Sequence, residues 1–140
     1  MAETIKQVQY YYVMLPDKAG EGARILNTLK QSGVELVAFV AFPVGKTRAQ
    51  LDFVPVDGNK FTETLKNAGF KVTGPKTAFL IQGEDRTGAL ADIMEHLASA
   101  HINVTALQAI RSGEGRYGAI LWVRPRNVAR AAAALGIIGS

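Results

Sequence analysis

The chain has 140 residues, 48% hydrophobic and 20% charged, with a formal net charge of +4 and no cysteine. That is apolar material for one domain or two small ones, and it excludes disulfides, thiol catalysis and cysteine metal sites. No apolar run approaches the roughly 20 residues of a membrane span, the start lacks a signal-peptide layout and the basic charges are scattered, so the composition points to a cytoplasmic protein with a solvated basic surface rather than a nucleic-acid patch.

Val8 to Leu15, with Tyr10, Tyr11 and Tyr12, reads as a strand, Tyr11 facing one way and its two neighbours the other. Pro16 to Gly20 breaks it. Ala23, Ile25, Leu26 and Leu29 follow helical spacing until Ser32-Gly33. Val34 to Val44 is strand-like, Gly45-Lys46-Thr47 a turn, and Ala49, Leu51 and Phe53 alternate with polar residues as in a strand. Asp57 or Asn59 caps a short helix marked by Phe61, Leu65 and Ala68, and Gly69 to Val72 reads as a closing strand. After a short linker, Thr73-Gly74-Pro75-Lys76, the same order returns. Thr77 to Ile81 is a strand, Gly88 to Ala100 a helix, Ile102 to Ile110 and Tyr117 to Val123 strands around Gly113-Glu114-Gly115, and Val128 to Leu135 a helix. Gly136-Ile137-Ile138 reads as the stub of a last strand.

An ungapped shift of about 68 residues superposes the halves: Asp17 falls on Asp85, Gly20 on Gly88, Ile25 on Ile93, Leu29 on Leu97, Gly45 on Gly113 and Arg48 on Arg116. Each half therefore reads βαββαβ. The expected fold is α+β: two ferredoxin-like repeats, 1–73 and 74–140, each a four-stranded antiparallel sheet with both helices on one face. A half this small leaves its other sheet face open, which packing side by side would relieve.

The strand-to-helix turn of the second half, Asp85-Arg86-Thr87-Gly88-Ala89-Leu90, has the chemistry of an anion site. A helix start offers unpaired N–H groups and partial positive charge, and Gly88 lets a ligand approach. Asp85 fits equally as an N-cap. Asp85 through Val104, an Asp-Arg-Thr-Gly turn followed by an apolar helix and Ile102-Asn103-Val104, resembles the signature of the ACT domain, with Thr87 in place of the common proline. The resemblance implies a stand-alone tandem pair, without an attached enzyme, that binds a small ligand, typically an amino acid, at an interface between domains. It places the ligand carboxylate on the N–H groups of Gly88, Ala89 and Leu90 and its ammonium near Asp85 or the Asn103 side chain, with Arg86, Thr87 and Val104 alongside. Asp17, Gly20 and Gly22 form the weaker equivalent turn of the first half, where Glu35 stands in place of Asn103. The resemblance further implies a regulated enzyme or other protein as partner.

No cofactor or metal is implied: His96 and His101 are five apart, off the i, i+4 spacing of a helical pair, and no nucleophile elbow or triad is suggested. Catalysis is not expected. A homodimer is, because pairing edges or faces buries what a small domain leaves exposed. Two alternatives stay open. Arg116 to Val123 faintly echoes an RNA-recognition strand but lacks its glycine and aromatic spacing. A structural dimerisation module with a vestigial pocket is the other.

Overall fold

The computed structural model describes residues 3–137. Its elements are β1 (Thr4–Pro16), α1 (Glu21–Gln31), β2 (Leu36–Val44), β3 (Arg48–Pro55), α2 (Gly58–Asn67), β4 (Thr73–Glu84), α3 (Ala89–Ser99), β5 (Val104–Gly113), β6 (Arg116–Val123), a 3-10 turn (Pro125–Asn127) and α4 (Val128–Ala134). The chain divides into two compact units: Gln9–Lys76, and the described residues of Met1–Val8 with Thr77–Ser140. Both are α+β, as the repeat implied. The division departs from a cut at residue 73, because the start of β1 belongs with the second repeat.

In the Gln9–Lys76 unit the strand order is β2-β3-β1-β4, the ferredoxin-like order. Its core joins Tyr11, Val13 and Leu15 of β1 and Leu51 and Phe53 of β3 to Ile25 and Leu29 of α1 and Phe61 and Leu65 of α2. The i, i+4 spacing of each helical pair turns both onto the sheet. Asp57 caps α2, its carboxylate accepting from the Lys60 amide at 3.1 Å. Tyr11 lies in this core and Tyr10 and Tyr12 are half-buried on the other face, as alternation requires. The closing strand starts later than the sequence suggested. The Phe70 amide bonds the Leu65 carbonyl at 2.9 Å, so the chain stays tied to α2 through Phe70, and the expected linker, Thr73 to Lys76, is itself strand.

In the other unit the order is β1-β4-β6-β5. Phe79 and Ile81, then Tyr117, Ala119, Leu121 and Val123, pack on Ile93 and Leu97 of α3 and Ala131 and Ala132 of α4. Among the described residues the fourth strand is supplied by β1, and Gly136 and Ile137 are not strand. Gly136 turns with φ 81° and the Ile137 amide bonds back to the Ala132 carbonyl at 2.8 Å, while Ile138 lies outside the described residues. Residues 4–8 of β1 stand beside β4 instead, and Ile5 packs against this core.

On the second sheet face the central strands are buried and the outer strands are not. Ala78, Leu80, Ile120 and Trp122 are buried there in one unit and Asp52 and Val54 in the other, while Ile110 on β5 and Phe42 on β2 stay exposed.

The repeat is visible bond by bond. Asp17 N donates to Thr47 O as Asp85 N does to Gly115 O; Arg24 N donates to Gly20 O as Asp92 N does to Gly88 O; Val34 N donates to Leu29 O as Ile102 N does to Leu97 O. The register slips by one residue at the second helix, where Gly69 and Gly136 share the left-handed conformation.

Candidate functional site

The β4–α3 turn starts where Asp85 leaves the sheet. Its amide donates to the Gly115 carbonyl at 2.8 Å, which ties the turn to the β5–β6 hairpin. Gly88 is the N-cap of α3 with φ 80°, a left-handed conformation that a Cβ disfavours. A Cβ built there meets nothing within 4 Å, so glycine is required by the backbone and not by close packing. No side chain caps the helix, and Asp85 is therefore not its N-cap. The Asp85 carboxylate pairs instead with Arg111 Nε on β5.

Of the three amides assigned to a ligand carboxylate, that of Ala89 donates to the Arg86 carbonyl at 3.2 Å. Those of Gly88 and Leu90 belong to the helix end, where intrahelical acceptors are missing. Ala89 itself is buried, Leu90 is half-buried and Thr87 is exposed. The Arg86 guanidinium reaches Asp92 Oδ2 at 2.9 Å and Glu3 Oε2 at 3.4 Å. The Asp92 hydrogen bond, with the Glu3 charge behind it, holds Arg86 in its charged form. Glu3 keeps only 4% of its side chain exposed, and the Tyr117 hydroxyl lies 3.4 Å from the same oxygen. Burial pushes the Tyr117 hydroxyl pKa up, and the Glu3 carboxylate adds to it.

Asn103 and Val104 lie elsewhere. They follow α3, whose 11 residues span about 16 Å. Val104 pairs with Val123 at the opposite end of β6 from the Glu84–Arg116 pair that leads into the turn. Within this unit, then, Asn103 and the turn do not meet one small ligand. Asn103 is exposed and Ile102 beside it is in the core.

The first repeat builds the same backbone without the same side chains. Gly20 is a left-handed N-cap with φ 94°. Gly22 lies inside α1 and Asp17 is exposed. At the places of Arg86, Asp92, Arg111 and Tyr117 stand Lys18, Arg24, Pro43 and Ala49. The charged set is thus particular to the second repeat. Sequence reasoning did not find Glu3, Asp92, Arg111 or Tyr117. The hairpin places Arg111 within reach of Asp85, which the strand prediction could have shown, but nothing in sequence order links Glu3 to a turn more than 80 positions away.

The third-strand aromatics face the helices and not the opposite sheet face that an RNA-recognition platform would use. Tyr117 and Phe53, on the third strands of the two repeats, both pack in the helix-covered cores.

No family model matches the sequence and no curated protein matches it. Solved structures do. Protein BT0572 from Bacteroides thetaiotaomicron is 18% identical with a TM-score of 0.80, covering 94% of this chain and 88% of that one. The regulatory subunit of aspartate kinase from Thermus thermophilus is 19% identical with a TM-score of 0.66, covering 96% and 95%. The chain shares its tandem α+β fold with these structures. The same fold matches a part of aspartokinase III from E. coli, at 11% identity and a TM-score of 0.56, covering 95% of this chain and 32% of that one. The turn Asp85 to Leu90, within the segment that resembles the ACT signature, lies at the start of α3. No helix among the described residues is long and apolar enough to cross a membrane.

Proposed function

We propose that this chain is a non-catalytic, cytoplasmic regulatory protein that binds a small ligand, an amino acid, and acts on an enzyme or another protein. The observation that carries the reading is the fold shared with an aspartate kinase regulatory subunit along nearly the whole of both chains. The proposed site is the β4–α3 turn, Asp85 to Leu90. The N–H groups of Gly88 and Leu90 take the ligand carboxylate. Asp85 takes the ammonium in exchange for part of its pairing with Arg111, which is 79% exposed and free to rearrange. Asn103 and Val104, a helix length from the turn, stay outside this site. The first-repeat turn, with Asp17, Gly20 and Gly22, keeps the backbone of the site but not its charges, and we assign it the scaffold role.

The working unit is a homodimer in this reading. β2 lies at the end of the strand order and is Leu-Val-Ala-Phe-Val-Ala-Phe-Pro-Val, without one charged residue. Val37, Phe39, Phe42 and Val44 are 38–47% exposed on it. Edge strands are ordinarily blunted with charge. An antiparallel twofold about Val40 sets Phe39 against Ala41 and Phe42 against Ala38, large on small on both faces.

Thermal-shift screening against the twenty amino acids, followed by calorimetry, tests the ligand. Saturation at 100 times Kd adds about 2.7 kcal/mol. Absence of a shift with every amino acid and metabolite sinks the reading in favour of a structural module. Salt-sensitive binding of single-stranded RNA would favour nucleic acid instead.

A further inference from the structure

Glu3 is a carboxylate at the threshold of β1, held almost wholly out of water against the β4–α3 turn. Its contacts are Arg86 Nη2 and the Tyr117 hydroxyl, both at 3.4 Å. Removing one partner of a buried charge leaves the other uncompensated, which costs far more than a surface pair is worth. The position of Arg86 and the docking of the first β1 residues therefore depend on each other. Two residues on, Ile5 packs into the same core. From there β1 runs without a break to Pro16, so one strand carries residues of both compact units.

We propose that Glu3 is a positioning residue that couples the turn to β1: whatever draws Arg86 away from Glu3 loosens residues 4–8, and undocking those residues releases Arg86 and the turn. A ligand carboxylate arriving at the α3 start competes with Glu3 for the Arg86 guanidinium, because both are anions seeking the same donors. Occupancy of the turn is thereby linked to the order of a strand that continues into the other repeat. Linkage works in both directions, so the order of the strand equally sets the affinity of the turn. Asp92 keeps its own hold on Arg86 at 2.9 Å, which lets the guanidinium leave Glu3 without becoming unpaired. The first repeat carries Lys18 at the place of Arg86, and no salt bridge involving Lys18 appears among the described residues. The regulatory consequence rests on the turn being the ligand site; the coupling does not, and it is measured on the ligand-free chain.

Hydrogen exchange read by mass spectrometry on the full-length protein tests it, comparing wild type with Glu3→Gln, Arg86→Gln, the double variant and Tyr117→Phe. Each of the first two substitutions is expected to speed amide exchange several-fold in both residues 4–8 and residues 85–90. The double variant should exchange no faster than the faster single. Tyr117→Phe, which spares the Arg86 contact, should leave residues 85–90 near wild type. Exchange that rises only in the segment carrying the substitution overturns the coupling, as does a double variant equal to the product of the singles. A Tyr117→Phe effect on residues 85–90 as large as that of Glu3→Gln also overturns it, since the tyrosine and not the arginine would then be the link. Far-UV circular dichroism and the exchange of residues 58–67 in the other unit show that each variant is folded.

Discussion

Gly22 and Gly88 look alike in the sequence, each beside the start of a helix, but the backbone separates them. Gly88 has φ 80° and an added Cβ would be strained, whereas Gly22 lies within α1, has no positive φ and faces open space. Gly88→Ala is expected to lose about 1–2 kcal/mol in urea denaturation without any ligand. Gly22→Ala is expected to gain up to about 1 kcal/mol, the helix-propensity difference. A residue with a sign of its own is Asp52, 5% exposed on β3. Burial raises its carboxyl pKa; Gln50 Nε2, donating at 2.9 Å, and the Lys76 charge oppose this without cancelling it. A pKa higher in the folded chain means that the folded state holds the proton longer. Stability is then fullest below the unfolded value near about 4 and falls as pH rises through the folded value. Asp52→Asn should raise stability at pH 7 and flatten that descent, checked by denaturation between pH 4 and pH 7. A substitution that lowered stability at pH 7 would show that the ionised form is the one the fold prefers.

Among the elements, the helices were the most legible from sequence, and the reason lies in their periodicity. Ile25 and Leu29, Phe61 and Leu65, and Ile93 and Leu97 are each four apart, and all six are buried. Leu97→Ala, at 0% exposure, is expected to cost about 2–5 kcal/mol by the cavity it leaves. Strand boundaries were less legible. Helix ends marked by Gly69 and Gly136 hold the following residues through backbone bonds, so the apolar Phe70 and Ile137 look like strand starts without being so. β2 carries a prediction at this scale. The chain has no cysteine, so Val40→Cys puts one thiol at the proposed twofold. Mild oxidation should link it to a partner copy efficiently, while a control cysteine at exposed Ile110 on β5 should link poorly. Monomeric behaviour by light scattering together with failure to cross-link would rule out this dimer.

For the molecule as a whole, the two apolar cores are separate clusters, and β1 and β4 each contribute residues to both units. Such a chain need not unfold in one step, so a single melting temperature is an incomplete description of it. The sequence by itself determined the two-fold repetition, the α+β class and the glycine turns, because these follow from local rules: apolar period, glycine placement and a constant offset between halves. Local rules also placed the signature turn at a helix start. The tertiary structure alone decided which segment supplies the fourth strand of the second repeat. Both the C-terminal stub and residues 4–8 have apolar side chains to offer in the sequence; in the structure Ile137 bonds back to α4 and residues 4–8 lie beside β4. It alone decided that Asp85 pairs with Arg111, that Arg86 faces a buried Glu3, and that Asn103 lies a helix length from the turn. Those are contacts between residues distant in the chain, set by burial and charge in three dimensions, and no local pattern encodes them.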